Sequence, residues 1–385
     1  MKNIAFFTPS LDQISESFIR LQITILKPKL IFYSGYDTKK YIHTLNNETF
    51  KIVRLRHMMV NKLLPNAHKF KRDKLVLKVL KTHKIDLLVF QYSLTAINNY
   101  GWLKDCKIPF IIHFHGFDIS CDYIFLEYNN MLKCLVERAS GLISVSTKMT
   151  KRILDVSTNI RGTILTQPCP PSMGILKTTS KNKMSNDKKA TCIIINGRFV
   201  NKKAPFFHLF VIKRVIDILQ VNTQDVPKFY VEWVGNGILL EAAENLSKQL
   251  KLSDIVNFNG ALSHSEAINI VELGDIFLQF SHLAIGGDRE GTPVSLLEAG
   301  LIGLACIGTR HEGIEDIIDH GINGYLVEEG DIETAASYLV ELLSNHVLRD
   351  KFGLEISNKI NSKYNEEIYF EEMTRLFYSA SKHHF

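Results

Sequence analysis

Short apolar runs alternate with longer amphipathic stretches along most of the chain. The runs have the length of buried strands, and the stretches between them have the length of helices. This alternation predicts an α/β fold with parallel sheets, because neighbouring parallel strands must be joined by a helix-sized crossover. In the first half, the predicted strands are Ile4–Phe7, Leu30–Tyr33, Leu87–Phe90, Phe110–Phe114, Leu142–Val145 and Thr163–Leu165, and the predicted helices are Ser15–Leu26, Asp73–Thr82 and Phe125–Ala139.

The pattern stops at residues 168–189 and then starts again. Pro168, Pro170 and Pro171 open this segment, and a polar, lysine-rich stretch follows them. Such a composition is typical of a linker, so we predict one domain over residues 1–167 and a second domain that begins at residue 190. In the second domain, the predicted strands are Ala190–Ile195, Phe229–Val234, Val256–Phe258, Ile276–Phe280 and Ala305–Ile307, and the predicted helices are Ala204–Leu219, Leu239–Leu250, Pro293–Gly300, Glu333–Leu343 and a last stretch from Leu348 onward.

The length and composition of the chain limit the classes of protein that it can belong to. A chain of 385 residues exceeds a comfortable single core, which also favours two domains. No apolar run approaches the length of a membrane span, and the apolar stretch at the N-terminus is too short for a signal peptide. The six cysteines form no Cys-x-x-Cys pair, which argues against a disulfide framework or a structural zinc site. We therefore expect a cytoplasmic protein.

Positive charge is concentrated in the first half of the chain. Residues 1–165 carry 25 Lys and Arg against 12 Asp and Glu, whereas the remaining residues carry 21 against 28. The excess peaks between Lys51 and Lys84. A basic surface of this kind can attract nucleic acid, an anionic membrane face or an anionic acceptor, and it can equally be a solvated basic helix.

The strongest local signal for chemistry is the segment Asp288–Gly300. A Gly-Thr-Pro turn precedes a predicted helix with Pro293 at its first position, and the free amides of that first turn can bind an anion such as phosphate. Glu290 stands in the loop before the helix, where it can face a sugar. Glu298 lies two turns into the helix, where it can reach a ribose. A capped surface helix with two solvated acids would show the same spacing.

Two cations follow the first strand of the second domain. Arg198 and Lys203 lie in the loop that leaves the carboxyl end of this strand, where open α/β sheets bind their ligands. An Arg fork and a Lys point charge together suit a diphosphate. Exposed basic residues are nevertheless common in loops, so this pair is a weak signal when taken alone.

Two further strand ends carry glycine and polar residues. The turn Gly235-Asn236-Gly237 lacks the third glycine of the dinucleotide fingerprint, so we interpret it as backbone room for a ligand rather than as an NAD site. In the first half, His115 and Asp118 follow a predicted strand at the mouth of an expected interdomain cleft. A lone histidine is more often structural, but the glycine and aspartate beside it favour a functional interpretation.

The order of these motifs resembles glycosyltransferase family 4, a large family of retaining enzymes with the GT-B fold. Residues 190–345 carry the resemblance, and the ordered set is specific although each piece is not. The first half is similar, more loosely, to members that build bacterial surface polysaccharides. The matching motifs are Gly197-Arg198-Phe199 with Lys203, Val234-Gly235-Asn236-Gly237, Val256-x-Phe258-x-Gly260, Glu290-x7-Glu298, Gly313, Gly321–Val327, Ser15–Ile19 and His113–Asp118.

The resemblance implies two Rossmann-like domains that face each other across a cleft. Residues 1–167 would form the acceptor-side domain, residues 168–189 the linker and residues 190–364 the domain that binds a nucleotide sugar. Residues 365–385 would form a helix that packs back on the first domain.

The resemblance also implies roles for individual residues. Arg198 and Lys203 would hold the donor diphosphate, and Glu290 would contact hydroxyls of the transferred sugar. Glu298 would contact the nucleotide ribose, and His115 would lie near the donor sugar. The implied catalytic residues are His115, Glu290, Arg198 and Lys203. The implied further donor contacts are Gly197, Gly235, Asn236, Gly291, Thr292, Pro293, Val294 and Glu298. The implied acceptor-side contacts are Ser15, Glu16 and Asp118.

The sequence departs from the family pattern at three places. The usual glycine-rich first loop is replaced by Gln13–Ser17, and the usual Gly-Gly-Ile-Pro-Glu is replaced by Glu312–Asp316. Lys203 is followed by Ala204 instead of the usual glycine.

The activity that the resemblance implies is transfer of a hexose from a nucleoside-diphosphate sugar, with retention at the anomeric carbon. A UDP-sugar is favoured over GDP-mannose as donor, and the acceptor would be a glycan or a lipid-linked glycan. No cofactor, metal or nucleic acid is implied. The basic segment with Lys69, Lys71, Arg72, Lys74 and Lys78 would lie against an anionic membrane face or the acceptor's phosphates. The alternatives are a sugar-nucleotide epimerase on the same fold and a non-catalytic binding subunit.

Overall fold

A computed structural model describes residues 3–9, 17–33, 42–45, 48–54, 65–171, 190–222 and 227–381. Its contacts divide the chain into two compact units. Unit 1 comprises residues 1–167 and 370–385, and unit 2 comprises residues 168–369. Most of the predicted linker, residues 172–189, lies outside the described residues.

Unit 1 is built on a sheet with helices in the connections between its strands. The strands are β1 (Ile4–Thr8), β2 (Leu30–Tyr33), β3 (Ile42–Leu45), β4 (Glu48–Arg54), β5 (Leu87–Gln91), β6 (Phe110–His113), β7 (Gly141–Ser144) and β8 (Thr163–Thr166), and the helices are α1 (Ser17–Leu26), α2 (Pro65–Thr82), α3 (Ser93–Asn98), α4 (Tyr100–Leu103), α5 (Asp122–Arg138) and α6 (Thr147–Val156). The strand order is β3-β4-β2-β1-β5-β6-β7-β8.

The edge strand β3 departs from the predicted all-parallel sheet. It pairs with β4 in antiparallel register, whereas every other strand pair of unit 1 is parallel among the described residues. Only two residues separate Leu45 from Glu48, which is too short for a crossover and leaves a hairpin as the available connection.

Unit 2 contains a six-stranded parallel sheet in the order β11-β10-β9-β12-β13-β14. Its strands are β9 (Thr191–Asn196), β10 (Phe229–Val234), β11 (Val256–Gly260), β12 (Ile276–Gln279), β13 (Ala305–Thr309) and β14 (Gly324–Val327), and its helices are α7 (Pro205–Asn222), α8 (Leu240–Gln249), α9 (His264–Val271), α10 (Val294–Ile302), α11 (Ile314–Ile317), α12 (Ile332–Ser344) and α13 (His346–Lys363). Alternate residues of the central strand β9 enter the cores on opposite faces of the sheet. Ile193 and Ile195 lie in one core, and Cys192 and Ile194 lie in the other.

The last helix, α14, spans Glu366–Ala380. Its residues from Phe370 onward belong to unit 1, where the Leu376 side chain lies against Gly141. Among the described residues, no helix is both long and apolar enough to cross a bilayer.

Candidate functional site

The strand order of unit 2 creates a crevice between the ends of β9 and β12. These strands are neighbours, although β10 and β11 come between them along the chain, so the connections leave them toward opposite sides of the sheet. Open α/β sheets bind ligands at the carboxyl ends of the strands at such a switch point. A recess at this edge is lined by residues that include Asn196, Gly197, Arg198, Lys203 and Gln279.

The loop after β9 supplies three cations. A single 3₁₀ turn over Asn201–Lys203 presents both lysines, and Ala204 ends the turn in a left-handed conformation with φ 46°. Lys202 donates to an oxygen of Asp288 at 3.1 Å and to the Arg289 carbonyl at 3.2 Å. Arg198 is exposed and forms no ion pair with a residue that the structure describes.

Lys203 forms an almost buried ion pair with Glu290, in the loop that joins β12 to α10. The Lys203 Nζ and Glu290 Oε2 atoms are 2.9 Å apart, and each side chain is 14% exposed. Burial would raise the pKa of the Glu290 carboxyl, but the nearby charges of Lys203, Lys202 and Arg198 lower it to about 2. Burial lowers the pKa of Lys203, and Glu290 offsets part of that effect. Glu290 is therefore ionised at neutral pH and surrounded by cations.

The glycines after β10, interpreted above as backbone room for a ligand, lie against the loop that follows β9. A Cβ atom on Gly235 would lie 1.9 Å from the Gly197 carbonyl oxygen, and one on Gly237 would lie 2.4 Å from the Phe199 carbonyl oxygen. They allow the two strand-exit loops to touch. Asn236 is exposed, and its carbonyl accepts from the Phe199 amide at 3.0 Å.

Helix α10 begins one residue later than predicted, with Pro293 as its N-cap. No side chain caps the helix, so none of its own side chains accepts from the amides of the first turn, which begins at Val294. Gly291 and Thr292 lie before it against Gly313, whose amide donates to the Gly291 carbonyl at 3.0 Å. Such a helix start suits an anion.

Glu298 is 5% exposed, and its partner was not predicted. The Glu298 Oε1 atom lies 2.7 Å from His264 Nε2, at the start of α9. No sequence signal pointed to His264, because a single histidine in the first turn of a helix is a common surface feature. Lys202 was also missed, although it stands beside Lys203.

Two more residues missed by the sequence analysis contact the loop after β12. The amide of Glu290 donates to His311 Nε2 at 3.1 Å, and His311 Nδ1 lies 2.6 Å from Glu329 Oε1. Burial would raise the pKa of Glu329, but hydrogen bonds from His311 and from the Leu283 amide lower it.

His115 of unit 1 is held in a chain of buried polar side chains. Its Nε2 atom lies 2.9 Å from Gln91 Oε1, Gln91 donates to Gln22 at 2.7 Å, and Gln22 lies 2.8 Å from His113. Burial and the neighbouring His113 lower the pKa of His115 well below its ordinary value. Its imidazole is therefore neutral near pH 7.

Asp118 holds a loop in place, which differs from the expected contact with an acceptor. The residue is completely buried, and its carboxylate accepts from the amides of Ser93, His115 and Gly116 at 2.8, 2.8 and 3.1 Å. Burial raises its pKa to about 6, against the effect of these amides. Ser15 and Glu16 lie outside the described residues.

These features define a Rossmann-like α/β protein with a cation-rich site at the switch point of its second sheet. Comparisons with known proteins narrow this class. Residues 177–358, a little under half of the chain, match the family model of the glycosyl transferases group 1.

Two relatives and one solved structure show the extent of the similarity. The amylovoran biosynthesis glycosyltransferase AmsK of Erwinia amylovora is 25% identical over 76% of this chain and 69% of its own length. WcaL of Salmonella typhimurium, named for colanic acid biosynthesis, is 24% identical over 68% of this chain and 62% of its own length. The chain thus spans about two thirds of these relatives. The structure of Anabaena Alr3699/HepE with UDP and glucose superposes with a TM-score of 0.72 at 14% identity, covering 98% of this chain and 100% of that one.

The resemblance drawn from the sequence is thereby confirmed at the level of glycosyltransferase homologues and fold. The family match in unit 2 is to the group 1 glycosyltransferases, and the chain has the α/β GT-B fold.

Proposed function

We propose that this protein transfers a hexose from a nucleoside-diphosphate sugar to an acceptor hydroxyl, with retention at the anomeric carbon. The observation that carries the proposal is the excess of cations at the β9–β12 switch point. Lys202 pairs with Asp288 and Lys203 pairs with Glu290. Arg198 forms no ion pair with a described residue, although its charge helps to lower the pKa of Glu290. The negative charge of a donor diphosphate would pair with the remaining positive charge, that of Arg198.

The site also offers the remaining contacts that transfer needs. The start of α10 supplies amides for phosphate oxygens, and Glu290 is an ionised acceptor for sugar hydroxyls. Fixed cations stabilise the charge that develops on the leaving diphosphate. The departing phosphate can take the acceptor's proton, so we propose a reaction that needs neither a strongly basic side chain nor a cofactor.

The names of some similar proteins support a UDP-sugar as donor and a polysaccharide as product. HepE binds UDP and glucose, and AmsK and WcaL are named for the biosynthesis of amylovoran and colanic acid. We therefore place this activity in bacterial surface polysaccharide synthesis, with a lipid-linked glycan as acceptor. The basic surface of unit 1 would face an anionic membrane or the acceptor's phosphates.

A panel of UDP- and GDP-sugars tests the proposal. A donor at about 100 times its dissociation constant should add roughly 2.7 kcal/mol to the free energy of unfolding. The stabilising donor should then be hydrolysed slowly by the protein alone and transferred to a glycan acceptor with retained configuration. If no nucleotide sugar raises the melting temperature, the proposal fails. Conversion of the donor into another nucleotide sugar without acceptor would instead identify an epimerase.

A further inference from the structure

Two side chains outside the expected donor contacts fasten both ends of the loop between β12 and α10. We call residues 280–293 the β12 loop. Near its beginning, the Leu283 amide donates to Glu329 Oε2 at 3.0 Å. Near its end, the Glu290 amide donates to His311 Nε2 at 3.1 Å. Since His311 and Glu329 also contact each other, one connected pair holds both positions.

The hydrogen bonds fix the proton on His311. The Glu290 amide is a donor, so His311 Nε2 must accept with its lone pair. The proton of a neutral imidazole is then on Nδ1, from which it is donated to Glu329 Oε1 at 2.6 Å. The His311 side chain is completely buried, whereas that of Glu329 is 33% exposed. Because the imidazole is buried, loss of either hydrogen bond would leave a polar group without exchange with bulk solvent.

The Glu290 side chain depends on the same backbone. Its carboxylate lies 2.9 Å from Lys203 of the loop after β9, and its amide donates to His311. The two contacts hold the carboxylate and the backbone of Glu290 from different sides. Gly313 lies close against the same loop: its amide donates to the Gly291 carbonyl, and a Cβ atom added there would lie 2.0 Å from Thr292 Oγ1. A small backbone shift at Glu290 would move its carboxylate away from any sugar bound above it.

We propose that His311 and Glu329 are positioning residues for Glu290. They hold the β12 loop in the one arrangement that presents the Glu290 carboxylate to the transferred sugar. This inference rests on the proposed function for its effect on turnover, but its effect on the loop can be measured without any donor. Neither side chain needs to touch the substrate.

Matched variants separate this role from general stability. His311→Leu removes the acceptor for the Glu290 amide, and His311→Gln restores an oxygen that can reach it. His320→Leu is the control, because His320 Nδ1 also accepts a backbone amide, that of Leu326, at 3.0 Å, at a place away from the β12 loop. Glu329→Ala is paired with Glu328→Ala, which removes an exposed carboxylate that pairs with Arg310.

Two measurements decide the outcome. Hydrogen exchange of the donor-free protein should show the amides of the β12 loop exchanging about 10-fold faster in His311→Leu and Glu329→Ala, with the two controls unchanged. Donor turnover should fall about 10- to 100-fold in kcat with the donor KM within about three-fold, because phosphate contacts remain while the sugar is misplaced. His311→Gln should recover most of the loss.

Three results would contradict the inference or the proposed function. Wild-type exchange in the β12 loop of His311→Leu overturns the inference, whether or not the wild type is active. Faster exchange with unchanged kcat overturns it as well. A wild-type protein that turns over no nucleotide sugar would refute the proposed function, and the exchange measurement would still decide whether the pair holds the loop.

Discussion

The proposed function gives Lys203 two tasks in the candidate site, and they oppose each other. Its ammonium group keeps Glu290 ionised in a setting that is only 14% exposed, and the same group would donate to the donor's phosphate. A lysine that is fully satisfied by one carboxylate would gain little from a second anion. Burial lowers the pKa of Lys203 most, and the nearby charges of Lys202 and Arg198 lower it further, so an incoming phosphate would relieve repulsion among the cations.

Replacing Lys203 by Met should therefore affect phosphate recognition far more than base recognition. We expect the affinity for UDP to fall by about 1.5–3 kcal/mol, the scale of a charged hydrogen bond, while uridine binding stays almost unchanged. Calorimetric titration of both ligands measures this. Lys213→Met is the control, since Lys213 forms an exposed ion pair with Asp217 on α7. Equal losses for uridine and UDP would contradict the diphosphate assignment.

Ala204 stores strain beside this lysine. It adopts φ 46° and ψ 50°, a left-handed conformation that costs an L-residue about 1–2 kcal/mol and costs glycine almost nothing. Ala204→Gly should stabilise the protein by about 0.5–1 kcal/mol, since part of the gain is offset by the entropy of glycine in the unfolded chain. Urea unfolding measures the change. A loss of stability would mean that packing of the buried methyl group outweighs the backbone strain.

The residues of the site could be predicted where they belong to a local motif. Arg198 and Lys203 were selected because they follow a strand end, and Glu290 because it precedes a predicted helix start. The structure brings Lys203 and Glu290 together. The partners His311 and His264 could not be predicted, since each meets its carboxylate through a contact between distant parts of the chain. Asp118 was misjudged because a carboxylate at a strand tip looks the same in sequence whether it faces solvent or three amides.

At the scale of elements, the loop after β9 and the loop after β10 support each other through backbone contact. The Phe199 amide donates to the Asn236 carbonyl, and the Gly197 amide donates to the Val234 carbonyl, both at 3.0 Å. This contact fixes the β9 loop from one side, while Lys202 fixes it to the β12 loop from the other. The cations are thereby held before a ligand arrives, which reduces the entropic cost of binding.

Substitutions at two glycines test how much the contact between the loops after β9 and β10 contributes to stability. Gly235 and Gly286 both have positive φ, of 143° and 81°, but only Gly235 lies against another backbone. Gly235→Ala should cost about 2–5 kcal/mol, since about 1–3 kcal/mol of overpacking adds to about 1–2 kcal/mol of backbone strain. Gly286→Ala should cost only the strain. Thermal unfolding of both variants measures the difference, and equal costs would show that the loop contact is dispensable.

At the scale of the whole molecule, the alternation of apolar runs predicted the fold class and most of the strands. The edge hairpin of β3 and β4 was not predicted, because Ile42–Leu45 and Glu48–Arg54 mix polar and apolar residues without a continuous apolar run. Strand order could not be predicted from the pattern either. It depends on contacts between strands that lie far apart in the chain, such as β9 with β12.

Helix α2 forms the basic surface of unit 1. Lys74, Lys78 and Lys81 are exposed on α2, and Leu75 and Leu77 between them are 54% and 41% exposed. Lys69 and Lys71 belong to the same helix, but the structure does not describe their side chains. Interleaved lysines and leucines suit the surface of an anionic bilayer, where each cation contributes about 1 kcal/mol.

Co-sedimentation with liposomes tests this surface on the full-length chain. The wild type should bind vesicles increasingly as their anionic lipid content rises, and it should dissociate as salt screens the charges. Reversing Lys74, Lys78 and Lys81 to Glu removes about 3 kcal/mol of attraction and adds repulsion, so the bound fraction should fall to the level of neutral vesicles. The control reverses Lys248, Lys251 and Lys351, three exposed lysines of unit 2, and should bind as the wild type does. Equal sedimentation of both variants would show that α2 is a solvated helix with no lipid preference.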